Sequence, residues 1–339
     1  MNGSVTRDRR ARIFLRTCRR VTVLFVLALL FVASDARTPR AQEFPAGTVR
    51  FIVPFPAGGP ADILTRKIAD ILGRDWKKPI IVENIVGGAN IVAIQAAIRA
   101  PADGHTIILI PDVPLALYPL MYAKLPYNPD TDLAPITTLI SFPAVLVVNA
   151  KVPVSNFVEF LEYAKKTPIT YGSFGPGSAP HLHNELLKSL VKIDMLHVPY
   201  RGAAPLMLAL TRNEIQTTII GAGSTVASIK AGTLRGLAVD GDNRHPLLPD
   251  VPTFKEAGLS GMIAPNWFAL LAPPKTPQPI IEKINRDVAK AMKDPTVTSY
   301  LETNGQSVAT DTPDELARRI QSTRKFWKPV IEAAGIRIE

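Results

Sequence analysis

From Thr48 onward, short runs of β-branched and apolar residues alternate with longer segments of helical periodicity. That alternation restricts the chain to α/β units whose strands lie on a largely parallel sheet. Val49 to Pro54 reads as a first strand and PFPAGGPAD (Pro54 to Asp62) as a Gly/Pro-rich turn. Ile63 to Leu72 follows as a helix with Ile63, Leu64, Ile68, Ile71 and Leu72 at helical spacing. Pro79 to Val82 and Thr106 to Ile110 supply two further strands. The glycines of Val86-Gly87-Gly88-Ala89-Asn90 lead between them into a helix reaching about Ala100, which completes a β-α-β-α-β half.

Prolines 111, 114, 119, 126, 129 and 135 then favour an ordered irregular crossing over a regular element. A second α/β set begins with a strand at Val145 to Val148, a helix at Phe157 to Lys165 and a strand near Ile169 to Tyr171. After the turn Ser173 to Ser178 comes a helix from about His181 to Leu190. Met195 to Val198, Thr217 to Ile220 and Leu234 to Val239 read as strands, with helices Pro205 to Thr211 and Ser224 to Ala231 between them. After a strand at Trp267 to Leu271 the pattern is helical: Pro277 to Met292, Thr296 to Asn304 and Pro313 to Ala334. Thr276 and Thr312 are expected to cap helices that start on proline.

At 339 residues the chain is long enough to bury two cores. The expected architecture is α/β with two lobes, a ligand cleft between them and two crossing segments, near residues 138–148 and 262–272. Residues 44–140 with 265–339 form the first lobe and 141–264 the second.

Residues 1–41 read as a signal peptide. Seven arginines, from Arg7 to Arg20, precede an unbroken apolar run from Val21 to Ala33, shorter than the roughly 20 residues a membrane span needs. Cleavage is expected after Ala36 or Ala41, by the general secretory route into the periplasm. The segment holds nine Arg against Asp8 and Asp35, so the chain's net charge of +10 falls to +3 for the remainder, 30 basic against 27 acidic residues. A basic patch for nucleic acid is therefore not implied. Cys18, the only cysteine, lies in the same segment ahead of the apolar run, which excludes disulfides and thiolate metal sites from the mature chain.

Two strand-to-helix turns are the candidate binding elements. In Ala57-Gly58-Gly59-Pro60-Ala61-Asp62, after Phe55, backbone N–H groups at a helix N-terminus stabilise an anion without a charged side chain, and Asp62 either caps the helix or accepts from a ligand. The same segment also reads as an ordinary βα turn. Ser173 to Ser178, with Ser173, Gly175 and Ser178, precedes a helix that starts near Ala179 and His181. Gly202-Ala203-Ala204 offers a third small-residue turn, while Asp112, Tyr118 and Gly221 are candidates for the rest of the wall. No Gly-x-Ser-x-Gly elbow, phosphate loop or dinucleotide fingerprint is present. His181 and His183 are two apart and so fall on different faces of a helix, which does not suit a metal pair. His197, in an apolar strand, reads as a core or edge residue. No enzyme activity, cofactor or metal is expected.

These motifs resemble the Bug-type extracytoplasmic solute receptors of the tripartite tricarboxylate transporter family over about residues 48–336. The resembling stretches include VRFIVPFPAGGPAD from Val49, IIVENIVGGAN from Ile80, KLPYNPDTDLAPI from Lys124, SFGPGSAPHL from Ser173, DMLHVPYRGAAP from Asp194 and RHPLLPDVPTFKEAG from Arg244. The resemblance implies a type II periplasmic-binding-protein fold that closes on its ligand. It further implies that the two turns grip a carboxylate through backbone N–H groups and ordered water. The matching positions are Ala57, Gly58, Gly59 and Asp62, then Ser173, Gly175, Ser178 and His181 with Gly202, Ala203 and Ala204. Ile110-Pro111 stands where relatives have Gly-Thr or Gly-Ser, Tyr118 where they have Asn, and Ile219-Ile220-Gly221-Ala222 where Asp or Asn is frequent. These departures imply a more apolar distal pocket. The implied role is a monomeric receptor that captures a di-, tri- or aromatic carboxylic acid and delivers it to integral-membrane transporter subunits. A ligand-presenting sensor subunit and a secreted hydrolase or lyase are the alternatives.

Overall fold

The computed structural model describes residues 44–262 and 266–339, and all of the architecture below lies in the unit Gly47–Glu339. Residues 1–41, expected to form a signal peptide, fall outside the described residues.

A six-stranded sheet starts with β1 (Val49–Val53), β2 (Ile80–Asn84) and β3 (Thr106–Pro111), joined by helices α1 (Pro60–Trp76) and α2 (Ile91–Ile98). β1 pairs in parallel with both β2 and β3, as βαβ units require. α1 runs past the expected Leu72 because Lys77 adopts the left-handed conformation and closes the helix with an N–H bond to the Gly73 carbonyl.

The proline-rich stretch is more regular than expected. Val113–Leu117 makes a buried π-helical turn, α3 (Tyr118–Met121) continues it, and Ala134–Phe142 is a nine-residue strand, β4. Prolines are tolerated in these elements because Pro114 and Pro119 sit in first helical turns and Pro135 near the strand start. The buried Thr137 and Thr138 of β4 obscure the strand in sequence, yet both are satisfied. Thr138 N–H and Oγ1 donate to the two Asp311 carboxylate oxygens at 2.7 Å, and Thr137 Oγ1 donates to the Asp311 carbonyl at 2.9 Å.

Only Pro143 separates β4 from β5 (Ala144–Asn149), which belongs to a second, five-stranded sheet. That sheet is completed by β6 (Thr170–Ser173), β7 (Leu196–Pro199), β8 (Thr217–Gly221) and β9 (Leu234–Val239), in the order β7-β6-β8-β5-β9. Its helices are α4 (Phe157–Ala164), α5 (Ala179–Val191), α6 (Ala203–Thr211) and α7 (Val226–Lys230). The chain returns to the first sheet with β10 (Asn266–Ala272), whose order is then β11-β4-β10-β3-β1-β2, with β11 at Ser307–Val308. Helices α8 (Gln278–Ala291), α9 (Pro295–Thr303) and α10 (Pro313–Ala333) complete the chain.

Neither sheet is largely parallel as expected. β10 is antiparallel to β3 and β4, and β5 is antiparallel to β8 and β9. A helical crossover makes neighbouring strands parallel, whereas a strand that arrives directly from the other sheet enters from the opposite end and pairs antiparallel.

β5 is buried throughout, and its alternation divides it between two apolar clusters. Leu146 and Val148 join one with Phe160, Leu182 and Leu237, while Val145 and Val147 join another with Leu206, Leu210 and Ile220. Both faces of this strand are covered, which explains its continuous apolar run, and each such side chain contributes about 1.5–3 kcal/mol on burial. At α10, Thr312 makes the expected cap, a reciprocal box with Glu315. Thr276 does not cap α8: its hydroxyl donates to the Pro273 carbonyl at 2.8 Å, and Pro277 occupies the cap position without a side-chain bond.

Candidate functional site

β1, β3 and β8 end around a shared cavity of about 260 Å³, at the small end of ligand pockets, which run roughly 300–1,000 Å³. The crevice beyond strand carboxyl ends is where open α/β sheets place ligands. The first sheet contributes Phe55 after β1, Pro111 at the end of β3 followed by Asp112, Tyr118 opening α3, Phe142 of β4, and Asn266 and Phe268 of β10. The second contributes Ala144 of β5, Ile219 to Gly221 of β8, Phe174 after β6, and Ser178, Ala179 and His183 at the start of α5. The walls are largely aromatic: Phe268 lies 5.5 Å from the Phe55 ring and 5.3 Å, edge-on, from Phe142. No Lys or Arg belongs to the described lining.

Of the residues singled out in sequence, Phe55, Asp112, Tyr118, Ser178, Ala179 and Gly221 line the cavity. Ala57, Gly58, Gly59, Pro60 and Asp62 stand outside that lining, and the first turn shows why. Gly58 N–H donates to Asp62 Oδ2 at 2.8 Å and Gly59 N–H to the Pro56 carbonyl at 3.3 Å. Arg66 Nε and Asn84 Nδ2 donate to Asp62 Oδ2 and Oδ1, each at 2.9 Å, so the carboxylate is the knot of the turn. Burial opposes ionisation of Asp62, but the bonds from Arg66, Gly58 and Asn84 outweigh it and hold its pKa below the ordinary value.

The second turn is likewise held by bonds within it and to α5. Gly175 N–H donates to Ser173 Oγ at 2.9 Å, Gly177 N–H to His181 Nδ1 at 3.1 Å, and Ser178 N–H and Oγ to the Gly175 carbonyl at 3.2 and 2.7 Å. Ser173 Oγ also meets His197 Nε2 at 2.6 Å. Ser173, Gly175 and His181 therefore shape the loop from behind, and Gly202, Ala203 and Ala204 stand outside the lining too. His181 stacks on His197 with ring centres 4.2 Å apart. Burial first, and His197 second, push its pKa down to about 4, so its ring is neutral at pH 7. What the cavity receives from this lobe is the opening of α5, which begins at Ala179 without a side-chain cap and presents the positive end of its dipole.

Sequence reading gave no ligand-facing role to Asn90, Phe142, Phe174, His183, Asn266 or Phe268, all of which line the cavity. The only available signal was position: Phe142 ends a strand and Asn266 begins the strand paired with it, so that Asn266 lies opposite Phe142 in register. His183 shares the cavity with Asp112. Its Nδ1 carries a proton and donates to the Ala179 carbonyl at 2.7 Å, since a carbonyl can only accept. Asp112 is 6% exposed, and burial pushes its pKa up to about 7 even though His183 and backbone N–H bonds favour the anion. Tyr118 donates to the Ala89 carbonyl at 3.0 Å. Among the described residues, no group of three or more His, Cys, Asp or Glu is arranged to hold a metal ion, and no helix is long and apolar enough to cross a membrane.

The chain is 35% identical to a UPF0065 protein of Bordetella pertussis over 312 residues, 91% of this chain and 95% of that protein. The periplasmic binding protein BugD matches its fold with a TM-score of 0.76 at 28% identity, covering 87% of this chain and 100% of BugD. Rpa4515 of R. palustris, solved with adipate, matches with a TM-score of 0.79 at 31% identity, covering 87% of this chain and 99% of that one. The two-sheet α/β fold here is of the type II periplasmic-binding-protein kind, as the match to BugD shows. The model of the tripartite tricarboxylate transporter family receptor matches residues 64–336, and the chain belongs to that family of solute-binding receptors.

Proposed function

We propose that this protein is a periplasmic receptor that captures a small carboxylic acid and hands it to integral-membrane subunits of a tripartite tricarboxylate-type transporter. The observation that carries this reading is the cavity between the two sheets, into which α5 opens at Ala179 without a side-chain cap. A helix N-terminus stabilises an anion there, and the aromatic walls bury the rest of the ligand. The adipate bound to the related Rpa4515 supports a carboxylate as the ligand class.

In this reading residues 1–41 direct export and are removed after Ala36 or Ala41. The lobes are residues 44–140 with 265–339, and 141–264, and they close on the ligand as a monomer. Lining residues Phe55, Asp112, Tyr118, Ser178, Ala179 and Gly221 contact it, whereas the two glycine turns set the position of the helices behind them.

A thermal-shift panel of carboxylic acids on the mature chain tests the binding function. An acid at 100 times its dissociation constant adds about 2.7 kcal/mol of stability. Loss of uptake of that acid on deletion of the chain, with uptake restored on complementation, tests the transport role. Catalytic consumption of the acid by the purified chain, abolished by a cavity substitution, overturns the receptor reading.

A further inference from the structure

Asp112 is an unusual residue to find in the binding cavity of a carboxylate receptor. It follows β3 at Pro111, lines the cavity, and is 6% exposed. A second carboxylate on a ligand would meet it with no Lys or Arg in the described lining to neutralise the pair. A basic side chain that reaches the segment after Asp112 is committed elsewhere. Arg324 of α10 donates to both Asp130 oxygens and to the carbonyls of Leu115 and Ala116.

His183 and backbone N–H groups favour the Asp112 anion but do not offset its burial. His183 of α5 shares the cavity, but behind it stands Asp240, whose Oδ2 lies 3.6 Å from His183 Nε2 and makes no hydrogen bond. His183 is thus placed between two acids, with its Nδ1 bound to the Ala179 carbonyl. Tyr118 and Tyr127 turn their hydroxyls to the carbonyls of Ala89 and Pro114, and the Tyr122 ring lies tilted against Tyr118 with centres 4.7 Å apart. Asp112 is left as a desolvated acid that accepts from the backbone N–H groups of Val113 and its own residue, in a wall whose apolar part includes Phe55, Phe142, Phe174 and Phe268. A carboxylate has about four acceptor positions, so a ligand donor can still offset part of the cost of burying this one, whereas a like charge beside it adds to that cost.

We propose that Asp112 is the specificity-determining residue of this cavity. It selects monocarboxylic acids with an apolar, ring-sized body that carries a hydrogen-bond donor, and it rejects dicarboxylates under weakly alkaline conditions, where its carboxyl is ionised. This rests on the carboxylate-receptor reading above and departs from the adipate seen in the related protein. The acid end meets the opening of α5, the body packs against the phenylalanines, and the donor meets Asp112. At neutral pH the carboxyl titrates, burial having raised its pKa to about 7, so a dicarboxylate gains entry only as acidification protonates it.

Calorimetric titration of the mature chain with benzoate, 3- and 4-hydroxybenzoate, 4-(aminomethyl)benzoate, terephthalate and adipate tests this. At about pH 8 the best donor-bearing acid is expected to bind roughly tenfold or more tightly than benzoate and than either dicarboxylate. Preference for the aminomethyl or for a hydroxy compound identifies the donor as cationic or neutral. Asp112→Asn is expected to abolish the dicarboxylate penalty. Acidification to about pH 5.5 should strengthen terephthalate or adipate binding in the parent by roughly tenfold and leave Asp112→Asn unchanged. Asp112→Ser serves the same purpose if the Asn variant does not fold. Equal affinity of the parent for benzoate, the hydroxybenzoates and the dicarboxylates, with ratios unmoved by substitution, overturns the role of Asp112 and leaves the receptor reading intact. Failure of every acid in the panel to bind the folded parent overturns both.

Discussion

His183 Nε2 lies 3.6 Å from Asp240 Oδ2, and the other oxygen of that carboxylate, Oδ1, accepts the backbone N–H of Ala144 at 2.7 Å. One buried acid therefore touches both the cavity histidine and the first residue of β5, immediately after the passage between the sheets. His183→Ala is expected to remove the ring beside Asp240 Oδ2 and its edge-on contact with Trp327, and to cost about 1–3 kcal/mol in urea denaturation. Adding Asp240→Asn, which keeps an oxygen for Ala144, should return part of that loss. Equal stability of the single and double variants would remove the coupling.

Asp112 makes the chain less stable as pH rises. Its folded pKa is raised from 3.8 to about 7, so between those values the folded state holds a proton that the unfolded state has released. The stabilising contribution is complete below pH 3.8 and is lost as pH rises through about 7. Asp112→Asn is accordingly expected to raise stability at pH 8 by up to about 4 kcal/mol relative to its effect at pH 4. Urea titrations of both chains at the two pH values measure the difference.

His181 acts in the opposite sense. Burial and His197 lower its folded pKa to about 4 from 6.5, so the unfolded state binds the extra proton in that window. The stability that the neutral ring contributes is present above pH 6.5 and is lost as pH falls towards 4, by up to about 3 kcal/mol. His181→Asn should flatten the acid limb of the stability curve, at the expense of the Gly177 N–H bond to the ring. An acid limb of unchanged slope in the variant would show that another group titrates there.

The two turns are expected to respond differently to enlargement. Ser178 lines the cavity, so Ser178→Leu should weaken binding of any carboxylate by roughly tenfold or more while the chain remains folded. A Cβ at Gly59 meets the Pro56 carbonyl at 3.3 Å, away from the cavity lining, and Gly59→Val should act on stability with little change in affinity. At Gly221 a Cβ meets the Phe142 ring at 3.3 Å, so Gly221→Val should narrow the cavity and favour smaller acids. Titration calorimetry of the three variants, beside their thermal midpoints, separates these effects.

Local sequence determined most of the elements, because strand and helix periodicity is written into consecutive residues. The strand Leu234–Val239 and the start of α10 at Pro313, with its Thr312 cap, could be read from their own neighbourhoods. The two glycine turns were legible as turns for the same reason. β4 was not legible, because its buried Thr137 and Thr138 are matched by Asp311, more than 170 positions away. Strand direction was equally hidden, since it follows from the passage of the chain through Pro143 and its return at β10. The site was divided in the same way. Sequence pointed to helix N-termini as anion sites, but only the tertiary structure showed that Gly58 N–H is taken by Asp62 and the Gly175 and Gly177 N–H groups by Ser173 and His181. Only packing brought Phe142, Phe268, Asp112 and His183 to one cavity, because a pocket between two sheets is made by residues that are distant along the chain.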